Sequence, residues 1–258
     1  MAYPRRRRDG WRHAWRRRLQ RARDRLPVAC VLCGERAPGA LCEHCRVAVG
    51  ASMKRGARCP RCDLAQEALV GGDHLAACPD CASLGPALER VVAAFDYAWP
   101  GDLLVHRLKL ERQYFCAPVM AKLLAERCAR ASVEGWPSCA WVVPVPASQR
   151  SLRLRGFNPA AELGRELALR LDLEWRPGLL RRVREAEFQK GLGRSARREG
   201  VEGLYACAES VLGREILVVD DVMTTGATLD AVASVLKAAG ASRVWGAVAA
   251  RTPIRREE

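Results

Sequence analysis

The chain has 258 residues, 49% of them hydrophobic, with 43 Lys and Arg against 29 Asp and Glu, a formal charge of +14 and 12 Cys. That length allows one or two domains with a sizeable core. No uncharged apolar run nears the ~18 residues that would cross a bilayer, so a membrane-spanning helix is excluded and a soluble protein expected. The N-terminus is Arg-rich and shows no apolar signal stretch, which predicts a reducing, cytoplasmic setting and steers the Cys toward metal rather than disulfides.

Residues 1–27 form a basic tail. Eleven Arg and only Asp9 and Asp24 fall within residues 1–26, so the tail alone carries +9 of the total charge. The remaining +5 would fall to about +1 once two four-thiolate zinc sites each contribute −2, leaving a nearly neutral body. Trp11, Trp15, Leu19, Ala22 and Leu26 recur at helical spacing among the Arg, the pattern of a basic amphipathic helix. The favoured reading is plainer: an unstructured cationic tail that strengthens contact with any polyanion.

Residues 28–86 hold four Cys-x-x-Cys pairs: Cys30 and Cys33, Cys42 and Cys45, Cys59 and Cys62, Cys78 and Cys81. Each pair presents two sulfurs from one tight knuckle, and two knuckles complete a tetrahedral Zn²⁺ site. Four pairs therefore predict a double zinc ribbon whose folding energy comes from metal, since the intervening sequence offers little core. Sequential pairing is the simplest arrangement, and interleaved pairing gives the same stoichiometry. With every position filled, both metals read as structural, and His44 and His74 as bystanders. A redox dithiol is the main competitor, disfavoured because four copies exceed any dithiol need.

Residues 84–88 read as a hinge, and residues 87–258 as an α/β domain. Strands are predicted over 91–97, 141–145, 216–219 and 242–250. Helices are predicted over 102–110, from Pro118 to about 130, from Pro159 with Asn158 as N-cap, and after residue 228. This alternation implies an open parallel sheet. Cys116, Cys128, Cys139 and Cys207 read as small core residues. Residues 148–158 form a cationic loop following the second strand, at the carboxyl edge of the sheet. Arg150, Arg153 and Arg155, with Gly156, are candidates for holding a pyrophosphate, because guanidinium forks match phosphate oxygens. Residues 181–200 are polar, Arg-dense and without period: a lid over an anion site, or a plain surface loop.

The segment 216–228 carries the most chemistry. Ile216, Leu217, Val218 and Val219 read as a strand buried on both faces. Asp220 and Asp221 follow at its end, then Val222 and Met223, then Thr224, Thr225, Gly226, Ala227 and Thr228 before a helix marked by Leu229, Val232 and Leu236. Backbone N–H groups from Met223 to Ala227 at a helix N-terminus suit a phosphate, Thr hydroxyls add donors, and Gly226 permits close approach. The paired carboxylates suit sugar hydroxyls. A ribose 5-phosphate group is the ligand these residues imply. No Gly-Lys-Ser/Thr occurs, so this is not a P-loop.

The same segment resembles the phosphoribosyl pyrophosphate (PRPP) loop of type I phosphoribosyltransferases. Together with the four Cys pairs, His106-Arg-Leu-Lys109, Val143-Pro-Val-Pro146, Arg155-Gly-Phe-Asn158, and Gln189-x-Gly-Leu192 with Arg197, it resembles the ComF family, over residues 28–252. The resemblance implies a parallel sheet of type I phosphoribosyltransferase kind behind a small double zinc ribbon. It implies PRPP held by Asp220 to Thr228, with Mg²⁺ on the pyrophosphate, and an association with natural competence. The chain departs from the family pattern at Ala186 and Phe188, where the family has Thr and Pro, and at Gly200, often Asn. The leading expectation is a phosphoribosyl transfer that releases pyrophosphate. Its rival is a non-catalytic adaptor that binds PRPP or a nucleotide phosphate and contacts single-stranded DNA or a DNA-uptake helicase.

Overall fold

The computed structural model describes residues 15, 18–20, 22–54, 57–66, 78, 81, 87–131, 140–184 and 203–253. Five parallel strands form the central sheet: β5 (Val91–Asp96), β6 (Trp141–Pro144), β7 (Glu174–Trp175), β10 (Glu215–Met223) and β11 (Arg243–Arg251). Their order across the sheet is β5-β11-β10-β6-β7. In β10 the apolar residues alternate between faces, as the twofold period of a strand requires. Leu217 and Val219 join the core on one face, Ile216 and Val218 the core on the other.

The first face is covered by two helices packed on each other, α3 (Cys116–Ala131) and α5 (Pro159–Leu171). They bury Met120, Leu124, Leu163 and Leu167 against the strands. Asn158 caps α5 as expected, its side chain accepting from Ala160 N–H. Pro118 lies third in α3, not first, because the helix begins at Cys116. The second face is covered by α6 (Ala227–Ala238), through Leu229, Val232 and Leu236, and by a two-stranded ribbon of β8 (Leu180–Arg182) and β9 (Tyr205–Cys207). After β6 the chain turns to α5 and the outer strand β7; after β10 it turns the other way, to α6 and β11. The carboxyl ends of β6 and β10 therefore flank a switch in winding direction, where an open α/β sheet leaves a crevice.

The N-terminal segment forms two small units. In the first, β1 (Pro27–Ala29) pairs with β2 (Arg36–Pro38), and α1 (Glu43–Ala51) follows. In the second, β3 (Ala57–Arg58) pairs with β4 (Ala65–Gln66). Cys59, Cys62, Leu64, Cys78 and Cys81 of the second unit belong to the same buried cluster as Val91, Ala93 and Val248 of the sheet. An ionic network reinforces this seam. Asp63 accepts from Ala93 N–H at 2.9 Å and pairs with Arg58 at 2.9 Å and Arg127 at 3.1 Å, while Arg58 also reaches Asp96 at 2.7 Å.

The structure departs from the sequence reading in four further places. Residues 148–158 are not a loop: α4 (Gln149–Arg155) forms there, started by Ser148 and stopped by Gly156 in the left-handed region. The stretch expected to start a loop at Arg181 opens instead with the last residues of β8, too short to show a period. Two-residue β7 and three-residue β9 escaped the pattern for the same reason. Finally, the end of the basic tail is docked. Residues 18–20, 22 and 23 are helical, and Arg23 and Asp24 pair with Glu166 and Arg170 of α5 at 2.6 and 2.8 Å. Burial pulls the Asp24 carboxyl upward, but its bond and attraction to Arg170 outweigh this and hold it below the usual range. The Arg-rich residues before position 15, His74, residues 84–86 of the hinge expected at 84–88, Cys139 and residues 185–200 of the stretch read as a lid or surface loop lie outside the described residues. Cys116 and Cys128 are core residues as expected, and Cys207 is half-buried.

Candidate ligand site and metal centres

Eight thiols gather into two clusters. Cys30, Cys33, Cys42 and Cys45 form one, and Cys59, Cys62, Cys78 and Cys81 the other, the sulfurs within each lying within 4.8 Å of one another. The pairing is thus sequential. Backbone N–H groups turn toward the sulfurs, as in metal knuckles: Cys45 to Cys42 Sγ at 3.4 Å, Leu32 to Cys30 Sγ at 3.5 Å, and Cys78 to Cys59 Sγ at 3.4 Å. Burial raises the Cys30 thiol, but N–H donors from Cys42, Cys33 and Leu32 outweigh it and bring the thiol down to about 6. Hydrogen bonds from Cys62 and Cys81 likewise lower Cys59, while burial raises Cys45 and the bond to Cys59 pushes Cys62 up to about 12. Both sets can hold a metal ion, and no fifth protein ligand joins either among the described residues. His44 stands apart, on the exposed side of α1.

The second feature lies in the crevice at the switch point. Strand β10 runs on through both carboxylates to Met223, so Asp220 and Asp221 sit inside its last turn of pleat, not beyond it. Burial, together with the neighbouring Asp221 carboxylate, pushes the Asp220 carboxyl up to about 8. Asp220 Oδ1 accepts from Asp221 N–H at 2.8 Å. Thr224 is exposed, Thr225 and Ala227 are buried, and Thr228 is half-buried. Gly226 stands at φ +86°, the left-handed conformation that turns the chain into α6 and favours Gly. Asp230 N–H closes the first helical turn onto Gly226 O at 2.9 Å, and Ala227 N–H donates to Thr225 Oγ1 at 3.4 Å.

Two other elements complete the walls. The helix α2 (Gly101–Lys109) ends by placing Lys109 Nζ 2.8 Å from Asp221 Oδ1. The α2–α3 connection then crosses to α4, where Arg112 donates to Leu154 O at 3.1 Å and Tyr114 packs on Phe157 with ring centroids 4.9 Å apart. Helix α4 leaves the carboxyl end of β6, which is hydrogen-bonded to β10 through Val145 N–H and Val219 O at 2.9 Å. Arg150 and Arg153 are exposed, Arg155 is half-buried, and Gly156 is exposed at φ +82°. None of these Arg has an ion pair among the described residues. Sequence reading placed the acidic pair and these Arg at one sheet edge. It left Lys109 without a role, although the motif His106-Arg-Leu-Lys109 was in view, because only the fold brings α2 against β10.

A parallel five-stranded sheet with an acid–acid–hydroxyl bend at its switch point defines a type I phosphoribosyltransferase fold, and residues 155–258 match the phosphoribosyl transferase domain family. DNA utilization protein YhgH of Salmonella typhi is 34% identical over 226 residues, covering 85% of this chain and 96% of that protein. Its namesake in Escherichia coli K12 is 32% identical over 225 residues, with the same coverage. Competence protein F of Haemophilus influenzae is 29% identical over 177 residues, 66% of this chain and 76% of that protein. The chain belongs to the ComF family.

Proposed function

We propose that the crevice binds PRPP. The observation that carries this reading is the juxtaposition in β10 and its turn: two carboxylates, then hydroxyls and a left-handed Gly at the N-terminus of a helix. The carboxyl oxygens of Asp220 and Asp221 accept from ribose hydroxyls, and the turn's amides with Thr224, Thr225 and Thr228 receive the 5-phosphate. Lys109, paired with Asp221, and the Arg of α4, the helix that follows β6, bring positive charge to this edge of the sheet, which suits a pyrophosphate. Mg²⁺ would enter on that pyrophosphate and neutralise its charge. The metal in both thiol clusters is Zn²⁺, for which four sulfurs within one contact shell are the preferred donors. Both ions are structural, because all four positions are filled.

The reaction class that fits is transfer of the phosphoribosyl group to a nucleophile, with the anomeric C–O bond breaking and pyrophosphate leaving. The chain's contribution is to hold the sugar and stabilise the departing charge. The rival reading is a PRPP-gated adaptor. The relatives' names, DNA utilization protein and competence protein, favour a role in DNA handling, with the Arg-rich N-terminus meeting single-stranded DNA or a helicase in the cytoplasm. Calorimetry with PRPP and Mg²⁺ on protein carrying two Zn²⁺ tests the site: saturable heat is expected, lost in Asp220→Asn/Asp221→Asn. No heat with folded wild-type protein would sink it. Pyrophosphate release across an acceptor panel separates enzyme from adaptor.

A further inference from the structure

Arg251, the last residue of β11, is fully buried although it carries a permanent charge. Strand register sets it beside Met223, at the carboxyl edge. Its guanidinium reaches in two directions. Nη1 donates to Met223 O at 3.3 Å, to Thr224 O, and to Thr252 O at 3.0 Å. Nη2 donates to Cys62 Sγ at 3.8 Å, in the second thiol cluster. Thr252 N–H also donates to Met223 O, at 2.9 Å. One side chain thus spans the gap between a metal-ligand sulfur and the two carbonyls that open the ligand-binding turn.

The chemistry of both ends explains why an Arg stands there. Four thiolates on a divalent cation carry a net charge of −2, which offsets a guanidinium that has no water around it. Carbonyls turned toward the guanidinium leave their peptide N–H groups turned away from it, toward the crevice, because donor and acceptor of a peptide unit point in opposite directions. We propose that Arg251 is a positioning residue through which metal occupancy of the second cluster holds the Met223–Thr224 peptides in the orientation that receives a phosphate. Losing that metal removes the counter-charge, frees the guanidinium from Cys62 and lets the turn relax. Coupling of this kind is reciprocal, so a ligand held by the turn also retains the metal. The ligand half of this proposal rests on the PRPP reading above; the metal-to-turn half does not.

The test uses the full chain loaded with two Zn²⁺. Chelator removes metal while a chromogenic dye follows its release and hydrogen exchange follows peptides covering 59–66, 223–228 and α3. When the 59–66 peptide opens, the 223–228 peptide is expected to lose protection at least tenfold while α3 stays protected. Unchanged protection at 223–228, or loss only together with α3, overturns the proposal. In Arg251→Met, the turn is expected to exchange as fast as in stripped protein although two Zn²⁺ remain bound; wild-type protection in that variant overturns it too. If the variant fails to fold, the wild-type chelation experiment still decides. In a ligand arm, PRPP with Mg²⁺ is expected to slow one of the two zinc-release phases about tenfold in wild type. If PRPP does not bind, the functional reading falls and the exchange arm decides this one alone. If PRPP binds and slows neither phase, the coupling is absent.

Discussion

At the scale of single residues, the contest at Asp220 and Asp221 is between burial and charge. Asp220 keeps its proton in the folded protein to about pH 8, whereas the unfolded chain releases it near pH 4. Because the folded state binds the proton more tightly, this group's contribution to stability falls as pH rises from about 4 to about 8 and is level above that. Asp220→Asn should therefore raise the melting temperature at pH 8 more than at pH 4; thermal unfolding at both pH values checks the sign. Asp221 is held by Lys109. Lys109→Met leaves that carboxylate without its partner and should lower stability by about 1–3 kcal/mol, measured by urea unfolding. Lys109 shows what a sequence conceals: its motif was visible, but its target lies across a helix and a sheet. Arg251 is hidden further, 189 residues from Cys62 and one step past the apolar run that marked its strand. A charged residue at the end of a hydrophobic run looks like the start of a loop until the strand register is known.

At the scale of elements, strand β10 and helix α5 could be read ahead because both carry strong local signals: four branched or apolar residues in a row, and an Asn-Pro start with Leu at each fourth position. The α4 segment misled because seven residues without a buried face offer no hydrophobic period, so only the Ser148 and Gly156 caps betray a helix. The close approach of α5 to the sheet depends on Gly164, where a Cβ would meet Trp175 Cζ3 at 2.7 Å. Gly164→Ala should cost about 1–3 kcal/mol from overpacking, with the loss read by denaturant midpoint. The seam between the second thiol unit and the sheet turns on Asp63, held by two Arg and a backbone N–H. Removing one partner from a buried ionic group costs roughly 3–5 kcal/mol, so Asp63→Ala is expected to destabilise by that amount and loosen β5 together with β3 and β4. Hydrogen exchange at 91–96 would show whether the two regions open together.

At the scale of the whole molecule, the two thiol units differ in what they hold. The first has its own small core around Cys30, Ala37, Cys42 and Cys45, while the sulfurs of the second lie inside the core of the sheet. Metal removal should then proceed in two stages: early loss of structure in residues 27–51, and later loss that reaches the central strands, visible as two transitions in circular dichroism against chelator. The docked end of the tail adds a third grip. Deleting residues 1–26 removes the Arg23–Glu166 and Asp24–Arg170 pairs and should lower the melting temperature by a few degrees. The shared core of the second unit has a consequence for descent. A gene fragment beginning at residue 87 would encode a sheet with a bare apolar wound where Cys59, Leu64 and Cys81 had lain. Such a fragment would aggregate before it could be spliced to a new neighbour, so recombination is expected to pass on this cysteine unit and this sheet together or not at all.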